Sequence, residues 1–517
     1  MGSISPAMNG NEEVDLVVIG GGPTGLLSAV LARHMGLSVA IIDEKSGPLK
    51  LGRADALNAR TQQYLEVVGI LDELRSKGIE CNTSSTFAEG EFKSRQSKWW
   101  TSLEHCLHRN FLMIGQPDVE AALLKKLDTP VSYGEQAISI SEDEESAVIT
   151  TNRGRTLRGK YAIGADGARS MVRAALDITF TGTKPEMVWS VLDTFIDTDF
   201  PVCSEIVTFQ LNGQSRVSWI PRERGMARFY VLLDGEITQD KAENSIREHL
   251  APHRVTFLKT EWFSTFEVKE RIASTFVSKR GTGRVVLAGD AAHVHSVNGG
   301  QGLNTGIADA FGLGWRIALA VRHAKLSPQG ASQLVQSYDT ERRAVAGDVI
   351  GVAAKLVRDT IRTAKEYVGT IEKNAGYITG MGVAYDGTGS ALISESEVGI
   401  WKAGKRCPDF SLLGSESGEP QRLYSIVPYG QFLILSIGSR QDHCQPREEL
   451  PTTHLTILPS VAGGVQSATG GTSSTYEADI VTSAEPFKVV VRPDMYIGYV
   501  GNEAGVNEYM DSILSLS

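Results

Sequence analysis

The chain has 517 residues, 41% of them hydrophobic and 22% charged, with a formal net charge of −10. That length suits about three soluble globular domains, and the acidic balance argues against nucleic acid or an anionic membrane surface as the main partner. No apolar run approaches the ~20 residues of a membrane helix, the opening MGSISPAMNGNEEVD lacks the basic and apolar regions of a secretory signal, and the five scattered cysteines have no CxxC spacing, so reduced thiols in a cytoplasm are expected rather than a disulfide scaffold or a zinc site.

The first readable unit is residues 14–43. An apolar strand, Val14 to Ile19, runs into Gly20-Gly21-Gly22-Pro23-Thr24-Gly25; a helical stretch follows from Leu26 to Met35, and a second apolar strand from Ser38 to Ile42 ends at Asp43. GxGxxG between a strand and a helix, with an acid closing the next strand, is the arrangement that holds a dinucleotide. Its glycines permit a tight turn and close approach of the diphosphate, and the acid accepts from a ribose hydroxyl. Asp43 closes the strand, with Glu44 as second candidate.

Arg53 and Asp55 come next, ahead of an amphipathic helix through Leu65 and Val68. Composition alone makes the pair a solvated surface feature; its place beside the nucleotide unit makes it a candidate. Residues 81–110, with Trp99, Trp100, His105 and His108, have no period and are expected to form a loop region, followed by a strand, a turn at Gln116-Pro117 and a helix. A second strand-to-acid element runs from Tyr161 to Gly167 through Asp166, with Arg169 and Arg173 behind it. Residues 186–275 are rich in β-branched and aromatic residues and predict a mostly antiparallel sheet.

From Arg284 to Ala320 a short apolar strand ends at Gly289-Asp290, and an irregular segment carries His293, His295, Gly299, Gly300 and Gly302. A helix then begins with Leu303, Ile307, Phe311 and Ile317 on one face. A strand ending in an acid, a glycine-rich turn and a helix start together suit an anionic cofactor. His293 and His295 have no carboxylate or cysteine cluster beside them in sequence, so no metal is expected. A long helix or helical pair follows, then a glycine-rich stretch, then apolar strands to the end.

Three segments, GGGPTG, GADGARS and LAGDAAH…GGQGLNTGIADAFGLGW, stand in this order within residues 14–345. Together they resemble the single-component FAD-dependent aromatic hydroxylases, the class A flavoprotein monooxygenases. GKRCPDF and VVVRPDMYIGYV resemble the thioredoxin-like appendage of the phenol hydroxylase branch, here without CxxC, so Cys407 reads as a packed thiol. The resemblance implies an α/β protein. A Rossmann-like FAD-binding domain, 12–185 and 276–375, is interleaved with a mixed-sheet substrate domain, 186–275; a linker, 376–402, leads to a thioredoxin-like α/β domain, 403–517. It further implies FAD as cofactor, NADPH or else NADH as reductant, O2, and a phenolic substrate hydroxylated ortho or para to its hydroxyl through a flavin C4a-hydroperoxide. A homodimer is compatible with it.

Carried over residue by residue, the resemblance implies that Gly20, Gly22, Thr24 and Gly25 hold the diphosphate and Asp43 or Glu44 the adenosine ribose. Arg53 and Gln116 would contact the FAD, Asp290 would lie near its ribityl and diphosphate, and Asp166 belongs to a motif tied to both FAD and NADPH. Leu303 and Asn304 would bring backbone amides to the flavin pyrimidine edge, where reduced flavin is anionic, and Gly300 and Gly302 ahead of them would also bind the cofactor. Asp55 would take the phenolic proton, and Arg222 and Tyr230, from the pattern PREx4RFY, would face the substrate. Trp99, Trp100, Phe195, Phe209 and Trp219 suggest an apolar pocket. Val297 stands where the family usually has proline. A flavin-dependent epoxidase or reductase of an apolar substrate would not need Asp55. A flavin-binding assembly module without turnover, dimerising through its C-terminal domain, is the reading from a different class. A halogenase needs WxWxIP, where this chain has Val217-Ser218-Trp219-Ile220-Pro221.

Overall fold

The computed structural model describes residues 10–82, 84–96, 103–201, 204–296, 300–360, 370–414, 420–438, 450–460, 474–481 and 485–516. The nucleotide unit forms where the apolar runs predict it. Asn11–Ile19 pairs in parallel with Val39–Asp43 on one side and Thr156–Gly164 on the other, Val131–Tyr133 extends the sheet beyond Val39–Asp43, and Val285–Leu287 pairs in parallel with the end of Thr156–Gly164. These runs are almost continuously apolar because parallel strands are covered on both faces. Since all five strands point the same way, the residues after their C-terminal ends gather at one edge. Gly20, Asp43, Asp166 and Gly289-Asp290 therefore meet there, although the sequence separates them widely. An antiparallel hairpin, Ala137–Glu142 and Ala147–Thr151, completes the sheet on the side of Thr156–Gly164 away from Asn11–Ile19.

The helices Pro23–His34 and Gln301–Arg322 pack against each other at this edge. Their contact depends on Gly306, where a Cβ would collide with the Thr24 hydroxyl. The apolar stripe foreseen on the second helix is buried at Ile307, Phe311 and Ile317.

A second seven-stranded sheet runs in the order Val255–Glu267, Val188–Thr198, Ala227–Leu232, Gln214–Pro221, Ile206–Leu211, Ser84–Ala88, Glu91–Gln96. Its last two strands correct the loop reading of 81–110. They form a hairpin about Glu89-Gly90, both at positive φ, and add to the sheet through a parallel pairing with Ile206–Leu211. One face packs on the helix Gln239–Leu250 around Phe87, Phe209, Trp219 and Phe229; the other faces the nucleotide unit.

The C-terminal strands form a mixed sheet in which Phe432–Ile437 lies between a parallel neighbour, Thr452–Pro459, and an antiparallel one, Phe487–Val491. The stretch 376–402 is not a free linker: Met381, Tyr385 and Leu392 are buried, and the Ile378 carbonyl accepts from Asn58 Nδ2 and Gln301 Nε2. A buried ionic ring ties the C-terminal sheet to the long helices. Arg316 meets Glu341 at 2.6 Å and Asp494 at 3.2 Å, and Arg492 meets the same two carboxylates at 2.6 Å each. Cys407 is fully buried, and burial pushes its thiol up to about 12. Cys81 and Cys106 are likewise buried and in no disulfide; Cys203 and Cys444 lie outside the described residues.

Candidate active site

The glycine turn is built for close approach. A Cβ on Gly25 would collide with the Gly20 carbonyl, whereas one on Gly22 would meet nothing within 4 Å, so the space in front of the Pro23–His34 helix start is open. Asp43 is buried and turned towards this turn: Oδ2 accepts from Gly21 N at 2.5 Å and Oδ1 from Lys45 N at 2.7 Å. Glu44 is exposed and accepts from Gln136 Nε2 at 3.3 Å. Thr24 directs its hydroxyl at Gly289 and Gly306, into the helix contact. Asp166 caps the short helix Met171–Ala175, with Oδ2 accepting from Val172 N at 3.0 Å. Its Oδ1 is buried without a hydrogen-bond partner, and burial raises the carboxyl.

Asp290 is open to the cleft. Desolvation by the surrounding protein pushes its carboxyl up, against the pull of His293 and Arg53. The turn that presents it hangs on Asp309, which sequence reasoning did not single out. This fully buried carboxylate accepts from Gly289 N at 3.0 Å, from Arg342 Nε at 2.8 Å, and bonds His293 Nε2 at 2.7 Å. His293 is thus engaged with a second-helix carboxylate, and among the described residues no three His, Cys, Asp or Glu side chains gather to hold a metal. His295 is held neutral, lowered to about 4 by burial.

Gly300 leads into the helix Gln301–Arg322 at φ 62°. Asn304 stitches this helix start to the chain after Asp55: its Oδ1 accepts from Asn58 N at 2.9 Å, and its Nδ2 donates to the Ala56 carbonyl at 3.0 Å. Leu303 is half-buried beside it. Val297 lies outside the described residues, as do Trp99, Trp100 and Gly299. Gln116 braces the Arg53–Asp55 segment, donating its backbone N–H to Ala54 O at 2.9 Å and accepting from Ala54 N at 3.3 Å. Arg53 is exposed, at φ 67°. Open space over Gly22, an accessible Asp290, an unpartnered Asp166 oxygen and a helix start facing the same cleft together fit a dinucleotide with an anionic ring.

Asp55 and Tyr230 come together across domains: the Tyr230 hydroxyl donates to Asp55 Oδ2 at 3.2 Å. Burial and the neighbouring Asp55 charge raise the Tyr230 hydroxyl above its ordinary value, so it stays a donor at neutral pH. The guanidinium that reaches Asp55 belongs to Arg228, not Arg222: Arg228 Nη1 lies 3.3 Å from Asp55 Oδ2. Arg228 is held by Asp193 through Nε at 2.6 Å and Nη2 at 2.7 Å, and it donates to the Arg53 carbonyl. Arg222 is closed on Glu223 at 2.7 and 2.9 Å, with Asp193 at 3.3 Å, under Gly115. Asp55 Oδ1 has no partner among the described residues. The pocket aromatics also change: Phe209 and Trp219 lie in the core on the far face of the sheet, and Phe195 is half-buried beneath Arg224.

Residues 13–353 match the family model described as FAD binding domain. Among curated proteins, the chain is 28% identical over 468 residues to a phenol 2-monooxygenase of Aspergillus fumigatus, covering 83% of this chain and 76% of that protein. It is 27% identical over 424 residues to a 3-hydroxybenzoate 4-monooxygenase of Comamonas testosteroni, covering 72% and 65%. Among solved structures, the flavin-dependent monooxygenase PieE in complex with FAD and substrate superposes with a TM-score of 0.76 at 18% identity, over 98% of this chain and 99% of that one; at that identity the likeness concerns the fold.

Proposed function

The chain belongs to the FAD-binding-domain family, and from that membership we propose that it is an FAD-dependent monooxygenase that hydroxylates a phenolic aromatic compound, with NADPH or NADH as reductant. The observation that carries this reading is the pairing of Asp55 with Tyr230 beside the cleft. The two named relatives, a phenol and a hydroxybenzoate monooxygenase, support a phenolic substrate. FAD, when bound, supplies the chemistry that activates O2 and delivers one oxygen atom to the ring.

The chain supplies the rest. Gly20, Gly22 and Gly25 shape the diphosphate turn, Asp43 fixes that turn and reaches the ribose side, and Asp290 faces the cleft from below. The start of the Gln301–Arg322 helix offers backbone amides where a reduced ring carries negative charge, an orientation that lowers the energy of that charge. Asp55 Oδ1 is the group that accepts the phenolic proton, and a phenolate ring is far more nucleophilic at its ortho and para carbons than the phenol. Tyr230 donates to Asp55 and orients it. Arg228 places a positive charge 3.3 Å from Asp55 Oδ2, and Asp193 keeps Arg228 in place. Arg222 acts at one remove, by packing under Gly115 and sharing Asp193.

The test uses the purified protein with FAD. Bound flavin should give visible absorption, a single-ring phenol should accelerate NADPH oxidation, and the product should be heavier by one oxygen atom. Asp55→Asn should slow phenol-dependent turnover about 10²-fold or more, the usual scale for a positioned proton acceptor. It should also flatten the rise of kcat/KM with pH. Hydroxylation by the variant with an unaltered pH profile would remove Asp55 from the chemistry.

A further inference from the structure

We propose that the protein holds a small monovalent anion, a halide, in a buried cavity between the start of the Gln301–Arg322 helix and the C-terminal unit. The cavity measures about 30 Å³. Its walls include Gln301 and Asn304 from the first turn of the helix, Tyr496 from the C-terminal unit, and Tyr64, Arg60 and Arg342. Two guanidiniums line it, and among the described residues no carboxylate does. Asp309 takes the charge of Arg342 at 2.8 Å. Arg60 has no such partner.

Arg60 is 3% exposed. Its Nη1 donates to Gln63 Oε1 and to the Tyr424 hydroxyl, both at 2.8 Å, and its Nη2 to the Asp494 and Met495 carbonyls at 3.4 and 3.2 Å. The rings of Tyr64, Tyr424 and Tyr496 surround it at 4.6, 5.7 and 4.9 Å. All these partners are neutral groups, and Nε is buried with no acceptor. The carboxylates of the neighbouring core are already matched: Glu341 and Asp494 are shared by Arg316 and Arg492. Asp409 is reached only through Gln63, at 3.5 Å, and is itself paired with Arg422. A second guanidinium adds to the excess. Arg406, bridged to Tyr496 through the backbone, donates to the carbonyls of Met381, His105 and Glu104. Burial lowers the Arg406 guanidinium from its ordinary value, and the Arg60 charge pushes it the same way. Among the described residues neither arginine meets a carboxylate within ion-pair distance. Burying a charge without a counter-charge is costly, and the positive end of the helix adds to the field. An anion in the cavity accepts from Arg60 Nε, balances the odd cation and sits against the helix start. The volume admits one or two particles the size of water, which suits chloride or bromide and excludes phosphate. So placed, the ion joins the helix start that serves the cofactor to the C-terminal unit.

The FAD-loaded enzyme is exchanged into sodium gluconate and unfolded thermally as chloride or bromide replaces gluconate at constant ionic strength. The midpoint should rise by about 1–3 °C and then saturate, since the folded protein alone offers the site. Arg60→Gln, which keeps the polar contacts but not the charge, should abolish that rise. Wild-type crystals grown in gluconate and soaked in bromide give an answer that needs no variant to fold: an anomalous peak should stand in the cavity, in contact with Arg60 Nε. Water alone in the cavity, or a bromide peak only at the surface or in the cofactor cleft, would overturn the proposal. So would a midpoint that rises equally in Arg60→Gln, or one that does not distinguish halide from gluconate in wild type. Neither readout uses turnover, so the outcome does not depend on the hydroxylase reading.

Discussion

Asp309→Asn asks whether one buried charge holds the turn that presents Asp290. Three donors converge on Asp309: the Gly289 amide, His293 and Arg342. Burial alone would raise its carboxyl; His293 and Arg342 outweigh that and bring it down to about 2 from an ordinary 3.8. A lowering of that size corresponds to roughly 2.5 kcal/mol of folding stability at neutral pH. Because the folded-state value is the lower one, this stability is present in full above the unfolded carboxylate range near 4 and is lost as the pH falls through about 2. The amide keeps the shape but not the charge, and Arg342 is then left in a buried site without its carboxylate. Breaking a buried pair in this way costs about 3–5 kcal/mol, more than the titration alone implies. The assay is denaturant unfolding followed by tryptophan fluorescence, with retention of FAD through gel filtration as second readout. The variant should unfold earlier by that amount, release FAD, and lose the wild-type steepening of instability between pH 4 and 2. A variant within about 1 kcal/mol of wild type that keeps its FAD would show that the turn is held by something else.

Gly306→Ala puts a methyl group against the Thr24 hydroxyl and should destabilise the protein by about 1–3 kcal/mol; Thr24→Ala in the same chain should restore most of it, and failure of the double variant to recover would mean that the two helices do not meet as described. Glu341→Gln removes a carboxylate shared by Arg316 and Arg492 inside the interdomain ring. It should expose the C-terminal unit to limited proteolysis at enzyme levels that leave wild type intact, and equal cleavage rates would count against the ring as the tie between the units.

The strand-end motifs were legible because parallel strands leave a strong trace: long apolar runs that stop at glycine or an acid. Their convergence follows from all five strands pointing one way; in the sequence alone, Gly20, Asp43, Asp166 and Asp290 are grouped by the family resemblance and not by the strand direction. The hairpin Ser84–Gln96 was missed for the opposite reason. Its cleft face carries Thr86 and Ser84 rather than apolar residues, so period-two alternation was hidden, and only Glu89-Gly90 marked the turn.

The exchange of Arg222 for Arg228 has a simple physical origin. Side chains two apart on a strand share a face, so Arg228 had to accompany Tyr230 on Ala227–Leu232. Arg222 is separated from that strand by the turn Glu223–Gly225, where Arg224 sits at φ 62° and strand parity no longer carries across. The same parity sends Phe229 backwards together with its cross-strand partner Trp219, which is why aromatic content was a poor guide to the pocket. Parity thus leaves one face of the sheet apolar and closed, and the other lined by Tyr230, Arg228 and hydroxyls. Tyr230 and Asp55 are legible in the sequence motifs, whereas Arg228 is singled out only once Ala227–Leu232 is known to be a strand that puts it two residues back from Tyr230 on the same face.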